Sequence, residues 1–310
     1  MSQQLHVVFG AGQVGAGLAA LLLAQGHRVR VVRRSQRDVA SGIEVVAGDA
    51  TDPAFAIEAT RGAQVLYHCM NPSAYTASAW AQEYPRQGEA LIAAAVAHDA
   101  RLVVLDNLYG YGVVEGARTE STRMGAEGPK GLVRVAWAAR LEQAAAEQGL
   151  RYVAGRAGDF FGPGAGEQAL LSMPALAALG RGWPVLLIGD PSAQHAFSFV
   201  PDVVAGLAAL GSADEVDGRT FHLPVVQVPP RRLVEEVAAA LGVRSRVLGM
   251  PGWLLGLLAP VVPLLGELRE TLYQWDRPFE VDDSAFRMRF PALGTDSARA
   301  AAVIAAALAA

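Results

Sequence analysis

Gly10, Gly12 and Gly15 are the residues whose type and spacing point first to a chemistry. They stand as Gly10-Ala-Gly12-Gln13-Val14-Gly15 after an apolar run, Leu5 to Phe9, and before a helical pattern. Gly10 allows a tight turn, Gly12 lets the backbone approach a pyrophosphate, and Gly15 lets the helix pack closely. The helix start, reached through Gln13 and Val14, offers N–H groups and partial positive charge to phosphate. The expected ligand is a dinucleotide. The second strand ends Val32-Arg33-Arg34. An NAD site usually carries an acidic residue for the ribose there, about 20 residues past the glycines. Two arginines can instead fork onto a 2′-phosphate, so NADP is expected ahead of NAD; an exposed basic turn is the alternative. Asp49, followed by Ala50, closes the third strand and is expected to meet the adenine amino group, whereas Asp52 caps the helix that Pro53 opens.

A second group, Tyr67-His68-Cys69-Met70-Asn71, follows the fourth strand, near where a nicotinamide would lie. Cys69 and Asn71 are expected cofactor contacts. His68 is read as lining, because no paired acid is visible. His195 precedes a strand leading to Asp202 and either reaches the substrate or sits in a surface turn. No His/Cys/Glu set has metal-ligand spacing, so no metal is expected, and no Gly-x-Ser-x-Gly nucleophile turn occurs.

The elements that must position these groups alternate. Strands are expected at Leu5–Phe9, Val29–Val32, Ile43–Val46, Val65–His68, Leu102–Leu105 and Tyr152–Gly155, with Ala-rich helices at Val14–Gln25, Gly88–His98 and Gly131–Gln148. Nearly all-apolar strands alternating with helices imply a parallel sheet covered on both faces. The expected fold is α/β, a doubly wound parallel-sheet Rossmann fold with a smaller, mostly helical C-terminal substrate lobe. The expected division is 1–162 for the dinucleotide-binding domain and 163–310 for the mixed substrate region, with 196–222 returning to the first. Beyond Arg156 the pattern suggests helices at Gln168–Leu179, Arg231–Leu241 and Ser297–Ala309, another opened by Pro201-Asp202, and strands at Val185–Ile188 and Thr220–Leu223. Val247–Leu265 is broken by Pro251, Pro260 and Pro263, too short between prolines for a span of about 20 residues. It reads as short buried helical turns or an apolar lid.

The ordered motifs resemble the extended short-chain dehydrogenases/reductases, also called NAD-dependent epimerase/dehydratases. They are the glycine turn, Gly48-Asp49-Ala50-Thr51-Asp52, Leu105-Asp-Asn-Leu-Tyr-Gly-Tyr-Gly112, Arg156-Ala-Gly-Asp-Phe-Phe-Gly-Pro163 and Phe199-Val-Pro-Asp202. The resemblance places catalytic roles at particular positions, and there the chain departs. Counting back from Tyr111-Gly112, Asn107 stands at the Ser/Thr place; it can hydrogen-bond a substrate oxygen or the cofactor but cannot relay a proton as a hydroxyl does. The Tyr-x-x-x-Lys of the family falls on Lys130 and Arg134, as in the atypical branch where the Ser–Tyr–Lys set is eroded. Lys130 near a cation can act as proton donor, and Arg134 can hold the nicotinamide ribose; alternatively both are solvent-facing charges at a helix start. Tyr109 and Tyr111 are the nearest phenols, either of them able to replace the missing acid or to line the substrate. Asp159 stands where sugar-nucleotide members carry Asn, with Phe160 beside it. The helices Ala77–His98 and Gly131–Gln148 often form a dimer seam in the family, which allows a homodimer.

With 310 residues, 52% of them hydrophobic, the chain can bury a large core. A formal net charge of −4 gives no general attraction for nucleic acid or anionic membrane. A single cysteine excludes an internal disulfide and fits a cytoplasmic protein, and no signal peptide is read at the N-terminus. The leading expectation is an NADPH-dependent reductase of a neutral or apolar carbonyl or enone, a small-molecule substrate suited to Trp183, Trp253 and the leucines near them. The alternatives are a nucleotide-sugar epimerase/dehydratase, weakened by the Asp159 carboxylate, which would repel a diphosphate, and by the missing Tyr, and a non-catalytic NADP-binding or sensing protein.

Overall fold

The computed structural model describes residues 3–35, 40–166, 169–258 and 263–309. The chain opens with β1 (Leu5–Phe9), α1 (Gly15–Ala24), β2 (Arg28–Arg33), β3 (Glu44–Ala47), α2 (Pro53–Ala59), β4 (Val65–His68), α3 (Ala77–Ala97), β5 (Arg101–Asn107), α4 (Pro129–Gln148) and β6 (Tyr152–Ala157). There follow β7 (Asp159–Phe161), α5 (Met173–Ala177), β8 (Val185–Ile188), β9 (His195–Phe199), α6 (Val200–Ser212), β10 (Arg219–His222), β11 (Val226–Val228), α7 (Pro230–Ala240), β12 (Val247–Met250), α8 (Gly252–Leu258), α9 (Pro263–Leu268), α10 (Ser284–Arg289) and α11 (Ser297–Ala309).

Seven strands form one sheet in the order β10-β6-β5-β4-β1-β2-β3. The pairs β1–β2, β1–β4, β2–β3 and β4–β5 are parallel. The strands β1, β4 and β6 are buried along their whole length, as a sheet covered on both faces requires. The chain starts in the middle at β1, winds outward through β2 and β3, then crosses to β4 on the other side. Ligands of such sheets bind outside the carboxyl ends of the strands where the order reverses. This is the Rossmann-like fold expected from the alternating pattern.

The chain divides into two compact units. The first comprises Met1–Gly110, Pro129–Arg156 and Val204–Phe221; the second comprises Tyr111–Gly128, Ala157–Val203 and His222–Ala310. Against the expected border at 162, residues 111–128 and 157–162 group with the second unit. Beside its helices that unit holds a three-stranded sheet β11-β9-β7 and a two-stranded sheet β12-β8. Its core gathers Phe161, Phe197, Phe199 and Leu187 with Leu233 and Val237 of α7 and Ile304 of α11.

Three expectations change in detail. The helix expected at Gln168–Leu179 is the short α5, capped by Ser172; Gln168 lies outside the described residues. Val247–Met250 is a strand rather than a helical turn, paired parallel with β8. In this region Leu248, Trp253 and Leu257 are exposed, not buried, while 259–262 lie outside the described residues. Among the described residues, no helix is long and apolar enough to cross a membrane.

Close helix packing supports the first unit. A Cβ on Gly88 of α3 would lie 2.3 Å from the Trp137 ring of α4. Only a residue without a side chain seats that indole, which is itself buried. Gly88→Ala is therefore expected to overpack the seam and destabilise the protein by about 1–3 kcal/mol, read as a lower urea midpoint; an unchanged midpoint would show that the indole has room to shift.

Candidate active site

The glycine turn forms because β1 ends at Phe9 and the chain must reverse into α1 within a few residues. Gly10 adopts φ +93°, and a Cβ there would lie 2.8 Å from the Cys69 carbonyl oxygen. At Gly15 a Cβ would lie 1.8 Å from the Gly10 carbonyl oxygen, so no side chain fits. At Gly12 a Cβ would meet nothing within 4 Å, which is the open approach a pyrophosphate needs. Val14 precedes α1 and no side chain caps that helix, so its N-terminal dipole end is not masked by a capping side chain. These observations fit a dinucleotide, with Gly10, Gly12, Gln13, Val14 and Gly15 forming its cradle.

Arg33 ends β2 half-buried and Arg34 is exposed beside it. Among the described residues, neither joins an ion pair, and Arg34 holds the Glu83 carboxylate lower, after the stronger effect of hydrogen bonds from Ser73. Asp49 differs from its expected role. Its Oδ1 accepts from the Thr51 backbone N–H at 2.9 Å and the Thr51 hydroxyl at 2.8 Å, so this oxygen closes the local turn. Those bonds hold the Asp49 carboxyl below its ordinary range. Ala50 is buried, and Asp52 caps α2 through the Ala54 N–H at 2.9 Å as expected.

At the carboxyl ends of β4 and β5 the sequence gathers aromatic and charged side chains. Cys69 packs its backbone against Gly10, and burial pushes its thiol up to about 12, which leaves it a lining group. His68 is fully buried; burial, then the nearby Arg134 charge, lowers it to about 3. Asn71 is exposed. Asn107 ends β5, and its side-chain oxygen accepts from the Tyr109 N–H at 3.1 Å, starting the single turn Tyr109–Tyr111. The Tyr109 ring stacks on Trp80, centroids 5.8 Å apart, and its hydroxyl accepts from the Tyr75 hydroxyl at 3.1 Å. The Lys130 ammonium lies 4.9 Å from the centre of the Tyr75 ring.

Lys130 and Arg134 are 1% and 2% exposed, so neither is a solvent-facing charge. Arg134 donates to Asp106 at 3.1 Å and to the Tyr84 hydroxyl, and stacks over the Tyr84 and Trp80 rings. Arg156 reaches the other Asp106 oxygen at 3.1 Å. Arg134 is thus an anchor of this buried cluster, which revises its expected hold on the nicotinamide ribose. Nothing in local spacing pairs Asp106 with two arginines on other elements.

The second unit takes up the remaining candidates. Tyr111 is buried and its hydroxyl lies 2.7 Å from His222 Nε2. His222 Nδ1 faces the Asp282 carbonyl at 2.8 Å, so Nδ1 donates and Nε2 accepts the Tyr111 proton. That withdraws Tyr111 from the catalytic set. His195 lies within β9 rather than before a strand, stacked on Trp275 with centroids 3.9 Å apart. Its Nε2 is 2.8 Å from Asp159 and its Nδ1 is 2.9 Å from the Gln274 carbonyl. Asp159 keeps 27% of its side chain exposed, and Phe160 beside it is half-buried.

The sequence profile of the NAD dependent epimerase/dehydratase family matches residues 6–223. The chain belongs to that family. Solved structures of similar fold include dTDP-glucose 4,6-dehydratase DesIV from Streptomyces venezuelae, a double mutant with NAD and DAU bound. It shares 19% identity at a TM-score of 0.77, over 98% of this chain and 96% of that one. UDP-glucuronic acid 4-epimerase from Bacillus cereus, in complex with NAD, shares 14% at a TM-score of 0.73, over 98% of each chain. UDP-glucose 4-epimerase from Thermotoga maritima, with UDP-glucose, shares 15% at 0.73, over 97% of each. At these identities the likeness is one of fold. No curated protein sequence matches the chain. For an NAD dependent epimerase/dehydratase, the telling local fact is that α4 contains no tyrosine.

Two predictions follow from the buried groups. Asp106→Asn strips the shared counter-charge from Arg134 and Arg156 and should cost about 3–5 kcal/mol, measured by urea unfolding; a loss too small to measure would show that water replaces the carboxylate. His68, and His6 at about 4 by burial and then His27, are held neutral well below the ordinary imidazole value of 6.5. The unfolded chain therefore binds protons that the native one refuses below 6.5. Stability is expected to be fully present above that pH and to decline steadily as pH falls from 6.5 toward 4 and 3; a flat urea midpoint across that window would contradict it.

Proposed function

We propose that this chain is a nicotinamide-dependent enzyme of the epimerase/dehydratase type acting on a nucleotide sugar. The single observation that carries the reading is the glycine cradle, where Gly12 is open and Gly15 lies too close to Gly10 for any side chain. When bound there, a nicotinamide dinucleotide supplies reversible hydride acceptance. Gly10, Gly12 and the first N–H groups of α1 hold the pyrophosphate; Cys69 and Asn71 line the approach. NADP is the favoured form on this chain, because Arg33 and Arg34 end β2 and the nearby Asp49 commits one oxygen to Thr51. NAD, the coenzyme of the solved relatives, is the competing form.

The nucleotide-sugar reading moves ahead of apolar-carbonyl reduction for two reasons. The relatives of like fold are named for nucleotide-sugar dehydration and epimerisation. The Asp159 carboxylate, which argued against a diphosphate, is engaged by His195, whose Nε2 lies 2.8 Å from it. The other Asp159 oxygen can accept a hydrogen bond from a sugar hydroxyl. A reductase of an apolar carbonyl is the second reading, favoured by Trp183 and Trp253, which are 63% and 69% exposed. A single, half-buried thiol suits a reducing cytoplasm.

The test is titration with NADPH and NADH by nicotinamide fluorescence, for the wild type and for Arg33→Asp/Arg34→Ser, followed by incubation with UDP- and dTDP-hexoses. Expected are NADPH preference, its loss in the double variant, and conversion of a hexose. Failure to bind either coenzyme would end every enzymatic reading. Binding with reduction of apolar ketones alone would give the second reading precedence, and binding with no turnover would make the chain a cofactor-binding protein.

A further inference from the structure

With no tyrosine on α4, a phenol that serves hydride chemistry has to come from another element. The chain has seven tyrosines. Tyr67 is fully buried with its hydroxyl 3.0 Å from His6, and burial raises it further out of use. Tyr84 is buried under the Arg134 guanidinium, and burial raises it as well. Tyr111 gives its proton to His222. Tyr152 starts β6 and so stands at the opposite end of the sheet from the glycine turn. Tyr273, in the second unit, is raised by burial and bonded by Gln274 at 3.4 Å. Tyr75 and Tyr109 remain, the two half-buried phenols beyond the carboxyl ends of β4 and β5.

We infer that Tyr75 and Tyr109 form a proton relay that serves the substrate oxygen, with Lys130 as its electrostatic support. The inference rests on the nicotinamide reading above and adds to it the residues that move the proton. Tyr109 is fixed from three sides. Asn107 bonds its backbone N–H, Trp80 stacks on its ring, and the Tyr75 hydroxyl donates to its oxygen at 3.1 Å. Tyr75 comes from the segment before α3, whose first turn Thr76 caps through the Ala79 N–H at 3.2 Å. Its ring meets Trp80 edge-on and carries the Lys130 ammonium on its face. Lys130 is 1% exposed, so its ammonium meets the Tyr75 ring away from bulk solvent.

In the direction of reduction, a bound dihydronicotinamide would supply the hydride for the new C–H bond at the substrate carbonyl carbon. The carbonyl oxygen takes the Tyr109 hydroxyl proton, and Tyr109 takes the Tyr75 proton along their hydrogen bond. The charge left on Tyr75 lies against the Lys130 ammonium until solvent returns a proton. Oxidation of an alcohol runs the same transfers backward. In this arrangement Tyr109 is the catalytic group and Tyr75 acts through it. Lys130 favours the phenolate by its charge, since an opposite charge at this range stabilises the ionised form.

Two measurements on the whole protein test this. In turnover, Tyr75→Phe keeps the ring on which Lys130 rests and is expected to lower kcat about 100-fold or more. KM and NADPH affinity should stay as in the wild type, and the basic limb of the kcat–pH profile should move. Tyr109→Phe should do the same, and the double variant should be no worse than either alone, because groups that act as a unit are not additive. Wild-type kcat in Tyr75→Phe would overturn the relay and leave the proposed function standing. Without any substrate or coenzyme, alkaline titration of tyrosinate absorbance gives an independent reading. Lys130→Met should delay the onset of that absorbance to higher pH, and Tyr75→Phe should remove the early component. An unchanged onset in Lys130→Met would overturn the inference even if no substrate were ever turned over.

Discussion

One carboxylate holds the first unit's working end in place. Asp106, buried near the end of β5, is shared by Arg134 of α4 and Arg156 of β6. Desolvating three charges is costly, and the interior returns that cost only when each is bonded in good geometry. Here both Asp106 oxygens are used, and Arg134 is further engaged by Tyr84 and by the faces of two rings. The consequences run outward. Trp80, held against Arg134, in turn supports the Tyr109 ring. His68, beside the same guanidinium, is kept neutral. The position of the Tyr109 phenol thus depends, through Trp80, on a charge cluster built around Asp106.

The glycine turn and the fourth strand are coupled in a comparable way, by sterics instead of charge. Cys69 N–H donates to the Phe9 carbonyl at 2.9 Å, and the Cys69 carbonyl then closes on Gly10. The turn is therefore clamped between α1 and the end of β4, with only Gly12 left facing open space. A phosphate-binding loop built this way is set before any ligand arrives, so little ordering is left to be done on binding.

The sequence made some of this legible and hid the rest for physical reasons. The strands β1, β4 and β6 stand out because fully buried strands need continuous apolar runs, and the glycine turn stands out because its three positions each answer a different steric demand. The Asn107 and Lys130 departures could also be read, since motif order fixes their register. Tyr75 carried no signal: it lies in a polar segment, and only folding lays it over Lys130. The Asp106 cluster was hidden likewise, because two of its arginines look like ordinary helix and strand charges in one dimension. Tyr111 misled in the opposite sense. Motif spacing placed it with the phenols, but the single turn after Asn107 sends it into a hydrogen bond with His222. The strands β7 and β9 are short and mix polar with aromatic residues, and β12, four residues long, sits in an apolar, proline-broken stretch, so none shows a clear period.

Arg134 also constrains the routes open to this sequence in evolution. Lysine, usual at this place in the family pattern, would present a single ammonium where a planar fork now reaches both Asp106 and Tyr84 and lies flat on two rings. A reversion at 134 alone would leave Asp106 half-answered and Trp80 without its backing, and restoring a tyrosine at 130 would place a bulky ring where Lys130 now lies under Tyr75. Neither change is useful without the other, and both need compensation on α3. Substitutions at 130 and 134 are therefore expected to be non-additive, because Tyr75, under Lys130, meets Trp80, under Arg134.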